Sequence, residues 1–83
     1  MQKAVEIFAE RLGFKPSRIE RDQIFATDLN ADSLDLIELI MACEDAYDLD
    51  IRDEDAEKIQ TVGQALDYLA KQGVAAEYLE IAD

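Results

Sequence analysis

The chain has no histidine, one cysteine and one proline in 83 residues. Without histidine it lacks the commonest general base and the usual nitrogen ligand of zinc. The lone Cys43 excludes an internal disulfide and any paired-cysteine chemistry. It also fits a reducing compartment, so a cytoplasmic location is expected. No apolar run approaches the roughly 20 residues that a membrane span requires. The opening stretch, Met1 to Phe8, is broken by charge too often to form the core of a signal peptide. Basic residues are scarce, eight against twenty acidic ones, for a net charge of −12. That balance repels nucleic acid and anionic membranes and turns the chain toward basic partners. Taken together, these absences lean against an enzyme.

What remains is 49% apolar and 34% charged, the composition of one small domain spanning residues 1–83, expected as a monomer. A chain of this length buries roughly 60–65% of its unfolded surface, too little for a deep cleft. There is no internal repeat, and no segment alternates with period 2. The 3.6-residue period instead places helices. Val5, Phe8, Ala9 and Leu12 share one face, broadened by Ala4 and Ile7, and Gly13 supplies a stop. Residues 14–32 lack a sustained period, but Ile19, Ile24, Phe25 and Leu29 can pack such a loop from within. A second helix runs from Ser33 to about Tyr47, with Asp32 as its cap and Asp35 in its first turn. A short turn is expected around Asp53 to Lys58, anchored by Ile51 and Ile59. The last clear helix opens on Thr61-Val62-Gly63-Gln64, a capping-box pattern, buries Val62, Ala65, Leu66 and Leu69, and ends near Gly73. The expected fold class is therefore all-α: a small antiparallel bundle of three main helices plus one short helix, with 74–83 a flexible tail or a frayed turn through Tyr78 and Leu79.

The second helix has an unusual pattern. At about 100° per residue, Leu36, Leu39, Ile40, Cys43, Ala46 and Tyr47 fall within a third of the circumference and face the core. Leu34, Ile37 and Met41 form another apolar stripe on the opposite side, flanked by Glu38, Glu44 and Asp45. A bundle helix needs only one buried stripe. The second reads either as a docking surface, apolar at the centre and charged at the rim, or as a face covered by the tail or the long loop. Charge is polarised too. Asp28 to Glu57 holds twelve acids and only Arg52 as a base, whereas the first 21 residues hold five bases and three acids. The acidic run does not make a calcium loop. Counted from Asp48, the sixth and twelfth positions are Asp53 and Ile59; counted from Asp53, they are Lys58 and Gln64. An EF-hand needs glycine and glutamate there, so no metal site is expected, only loose relief of self-repulsion by cations.

Leu29-Asn30-Ala31-Asp32-Ser33-Leu34-Asp35 puts a serine hydroxyl at a helix N-terminus, where unpaired N–H groups and the helix dipole favour an attached phosphate. A serine there is ordinarily only a cap. These residues, with Leu36-Ile37-Glu38-Leu39-Ile40-Met41-Ala42, the run Ile51 to Ile59 and Thr61-Val62, resemble the bacterial acyl carrier proteins of fatty-acid synthesis. The spacing of Leu12-Gly13 and Asp28-Leu29 agrees, so the resemblance spans nearly all of residues 3–71.

The resemblance implies that Ser33 receives a 4′-phosphopantetheine arm from coenzyme A through a phosphopantetheinyl transferase. The arm's thiol then carries acyl groups between acyl-synthase and acyltransferase enzymes. Asp32, Leu34, Asp35, Ile37, Glu38 and Met41 match positions where family members meet those enzymes, and Glu44 and Asp45 extend the same surface. A bound acyl chain would lie near Leu39, Cys43, Ile51, Ile59 and Leu66, gaining roughly 0.8 kcal/mol per buried methylene. Three positions depart from the family. Asn30 stands where glycine is frequent, and asparagine tolerates left-handed backbone angles. Arg52 replaces a common proline, and Cys43 replaces a larger core residue, making room beside the chain. The alternatives are a dedicated carrier for polyketide or specialised lipid synthesis and, in a different class, an unmodified acidic adaptor in which Ser33 is a cap.

Overall fold

The computed structural model describes residues 2–81. Four helices form the bundle: α1 (Ala4–Leu12), α2 (Ser33–Tyr47), α3 (Asp53–Ala56) and α4 (Val62–Lys71). Single 3-10 turns lie at Pro16–Arg18 and Ala76–Tyr78. The architecture is the all-α arrangement expected from the sequence, three main helices and one short one.

Each helix starts and stops for a local reason. The Glu6 carboxylate accepts the Lys3 N–H at 2.8 Å at the head of α1. At its tail Gly13 adopts φ +81°, and both Gly13 and Phe14 donate to the Ala9 carbonyl at 2.9 Å. Ala4, Val5, Ile7, Phe8 and Ala9 are buried. Helix α2 ends where Asp48 turns left-handed, at φ +54°. Helix α4 carries the expected capping box: Gln64 N–H donates to Thr61 Oγ1 at 3.1 Å, and Thr61 N–H to Gln64 Oε1 at 3.0 Å. Helix α3 is one turn, ending two residues before Lys58.

The long connection between α1 and α2 is packed from within, as expected of Ile19, Phe25 and Leu29, all buried. Phe25 meets Phe8 edge-on with ring centroids 5.5 Å apart. Ile24 is the exception. It is exposed, and lies opposite Thr61 in an isolated antiparallel bridge. The loop also completes α4. The first N–H groups of a helix have no partner within it, and here Val62 N–H donates to the Gln23 carbonyl at 3.0 Å and Gly63 N–H to the Arg21 carbonyl at 2.8 Å. A β-carbon at residue 63 would sit 3.0 Å from that Arg21 oxygen, so a larger residue would have to push the loop back by a few tenths of an ångström.

Of the two alternatives for the segment after Gly73, the structure shows the turn, a 3-10 turn at Ala76–Tyr78. Val74, Tyr78, Leu79 and Ile81 pack against the core. The Tyr78 ring lies 6.2 Å from that of Tyr47, and Lys3 Nζ reaches Glu80 Oε2 at 3.4 Å. Ala82 and Asp83 lie outside the described residues.

Candidate functional site

The site is built where the long loop enters α2. Asn30 takes φ +54°, the left-handed angle at which asparagine is tolerated. Ala31 is buried and donates to the Phe25 carbonyl at 2.8 Å, which fixes the turn to the core. Asp32 is extended and caps α2, its Oδ1 accepting the Asp35 N–H at 2.8 Å. Asp35 Oδ2 accepts the Asp32 N–H at 3.1 Å in return. Two carboxylates thus do the capping that a serine would otherwise do. Ser33 is the first helical residue and is exposed.

This arrangement suits a phosphate-linked group. The hydroxyl faces solvent at the positive end of a 15-residue helix, where a phosphodiester is electrostatically favoured. The neighbouring Asp32 and Asp35 would repel a free anion, but each accepts an N–H bond, and a covalent link needs no affinity. No histidine exists to deprotonate the hydroxyl.

Two apolar stripes run along α2, as its periodicity implied. Leu39, Cys43 and Tyr47 are buried, and Leu36, Ile40 and Ala46 are half-buried against the core. On the other side Leu34, Ile37 and Met41 are 62%, 53% and 57% exposed, more than any other large apolar side chain among the described residues. Neither the loop nor the tail covers them. Glu38 and Asp45 are exposed beside this stripe and enter no ion pair among the described residues. Glu44, on the rim of the same stripe, also serves the fold. It is half-buried, and its Oε2 accepts the Ile51 N–H at 3.0 Å, tying the end of α2 to the approach to α3.

Behind the inner stripe lies an apolar cavity of about 30 Å³ between α2, α3 and α4. Leu39, Cys43, Ile51 and Ile59 line it. Leu66 does not. It is buried on a different face of α4, about 100° of helix from the lining Ala65, with which Tyr68 and Leu69 share a face at the i+3 and i+4 spacings. Tyr68 went unnoticed in the sequence, although its spacing from Ala65 was the signal. Its hydroxyl donates to Asp55 Oδ2 at 3.0 Å. Partial burial and that bond raise its pKa. Burial, with Glu44 adding to it, pushes the Cys43 thiol up to about 12, so the thiol is a small apolar wall and not a nucleophile. Among the described residues no three acidic or thiol side chains converge at metal-ligand spacing, and no helix is long and apolar enough to cross a membrane.

Comparison with known proteins points the same way. A family model described as a phosphopantetheine attachment site matches residues 2–69. The acyl carrier protein of Bdellovibrio bacteriovorus is 48% identical over 73 residues, covering 88% of this chain and 94% of that protein. The acyl carrier protein of Rubrobacter xylanophilus is 49% identical over 75 residues, with coverage of 90% and 93%. Among solved structures, a Mycobacterium tuberculosis protein assigned as an acyl carrier protein superposes with a TM-score of 0.78 at 32% identity, covering 83% of this chain and 92% of that one.

Proposed function

Because this chain belongs to the phosphopantetheine-attachment family of acyl carrier proteins, we propose that Ser33 is the residue that takes the arm and that the cargo is the growing acyl chain of fatty-acid synthesis. The chain is a carrier and not an enzyme, and its prosthetic group is 4′-phosphopantetheine. When attached, that group supplies a thiol on which acyl groups travel as thioesters. The protein supplies presentation, address and shelter.

One observation carries the assignment: Asp32 caps α2, and the adjacent Ser33 hydroxyl is left exposed at the helix tip. Addressing falls to the outer face of α2. Glu38 and Asp45, with the remaining lone pairs of Asp32 and Asp35, steer basic surfaces of the transferase, synthases and acyltransferases toward the site. Leu34, Ile37 and Met41 then supply apolar contact at the centre. Shelter falls to the apolar wall behind Leu39 and Cys43. The fatty-acid pathway draws support from the relatives, whose names carry no specialised cargo.

Incubation with coenzyme A, magnesium and a broad-specificity phosphopantetheinyl transferase, followed by mass measurement, tests the assignment. The native chain is expected to gain the mass of one arm and Ser33→Ala none. A gain that survives in Ser33→Ala would move the site elsewhere, and no gain in either would favour an acidic adaptor. Support of elongation by fatty-acid synthase enzymes in the loaded chain then decides the pathway.

A further inference from the structure

A cavity of about 30 Å³ holds little more than a water molecule. If the carrier reading is right, a chain of several methylenes enters only when a wall moves, and the hydrogen bonds show which wall is free to do so. Helix α4 is stitched to the long loop by two backbone bonds: Val62 to Gln23 and Gly63 to Arg21. Helix α2 packs along α1 over its buried stripe. Helix α3 has neither support. It is four residues long, and the backbone bonds donated by Asp55, Ala56, Glu57, Lys58 and Ile59 all close within residues 52–59. Yet its segment contributes Ile51, Ala56 and Ile59 to the lining.

The segment is pinned at both ends, by Glu44 on the Ile51 N–H and by the Phe25–Gln60 bond. Between these pins, one hydrogen bond among the described residues joins it to another element: Tyr68 Oη to Asp55 Oδ2, at 3.0 Å. Arg52 and Glu54 pair only with each other, at 3.7 Å. Tyr68 is also part of the cavity wall, so the same side chain that lines the space fastens its cover.

We propose that Tyr68 and Asp55 form a clasp that holds α3 over the cavity and sets how fast cargo longer than the cavity enters and leaves. Both are positioning residues, since they act through α3. Removing the clasp leaves the apolar lining intact and raises the population of the open form. A bond of this kind is worth about a three- to tenfold change in that population.

The test has two arms. In the unmodified protein, amide exchange at Ala56, Glu57 and Ile59 is expected to quicken about three- to tenfold in Tyr68→Phe and in Asp55→Ala, with no further gain in the double variant. Asp55→Asn, which keeps an acceptor oxygen, should stay near the native rate, and amides of α1 should not change. Unchanged α3 exchange, or a uniform rise across the bundle, overturns the clasp. In protein loaded at Ser33, hydroxylamine is expected to cleave a ten-carbon acyl thioester several-fold faster in Tyr68→Phe than in the native chain, and an acetyl thioester at the same rate in both. Equal long-chain rates, or an acetyl thioester accelerated as much, also overturn it. Failure of the native chain to load at all would instead count against the carrier reading, and the exchange arm would still decide whether the clasp exists.

Discussion

Asp32 and Ser33 are neighbours at the head of α2 with separate tasks. The carboxylate satisfies the helix end, and the hydroxyl is left to face solvent. Cys43, ten positions on, is defined by burial. With its pKa pushed from 9.0 to about 12, it should react with a disulfide reagent at pH 8 only as fast as the chain unfolds, and at once in urea. A prompt native reaction would place the thiol at the surface. Tyr47 is also raised, from 10.0 to about 12, chiefly by burial. In both groups the folded pKa lies above the unfolded one, so the folded chain holds its protons longer. Their contribution is constant below pH 9 and is lost as pH climbs toward 12. The free energy of unfolding should therefore fall between pH 9 and pH 11, read as a lower urea midpoint. Cys43→Ala should remove most of that fall.

At the scale of the helix, α2 serves two surroundings at once, and its carboxylates divide accordingly. Asp32 and Asp35 hold the first turn, and Glu44 holds the turn toward α3. Changing any of these confounds recognition with folding. Glu38 makes no such bond among the described residues and borders the exposed stripe. Glu38→Lys is expected to leave thermal stability within ~0.5 kcal/mol while lowering kcat/KM with a partner synthase about tenfold, through slower association. Native turnover in that variant would remove the outer face of α2 from recognition. The stripe itself was legible in the sequence because a regular helix converts spacing directly into direction. The bond from Glu44 to the Ile51 N–H was not, because it depends on where the chain goes after Asp48.

For the whole molecule, net charge is the dominant fact. Twelve acids lie between Asp28 and Glu57 against Arg52 alone, while Lys3 and Arg21 are engaged by Glu80 and Asp67, away from the outer stripe of α2. Exposed pairs of this kind contribute little, so the acidic side repels itself largely uncompensated. At low ionic strength, millimolar magnesium or calcium should raise the melting temperature by roughly 4–8 °C, the shift that goes with about 1 kcal/mol in a domain of this size. Sodium chloride at higher concentration should do the same by screening. An unchanged melting temperature under both would show that self-repulsion is not a significant cost.

The sequence by itself determined the four helices, the two faces of α2, the inert setting of Cys43 and the serine at the helix tip. These follow from local periodicity, capping chemistry and composition, which need no distant partner. Tertiary structure alone decided that the loop's carbonyls cap α4, that Ile24 turns outward, that residues 74–81 are held to the core, and that Ala65, Tyr68 and Leu69 line the cavity while Leu66 does not. Each depends on which segments meet in space. Contacts between residues 40 or more positions apart, such as Gly63 with Arg21, are set by how helices settle against one another, and a one-dimensional pattern does not encode that docking.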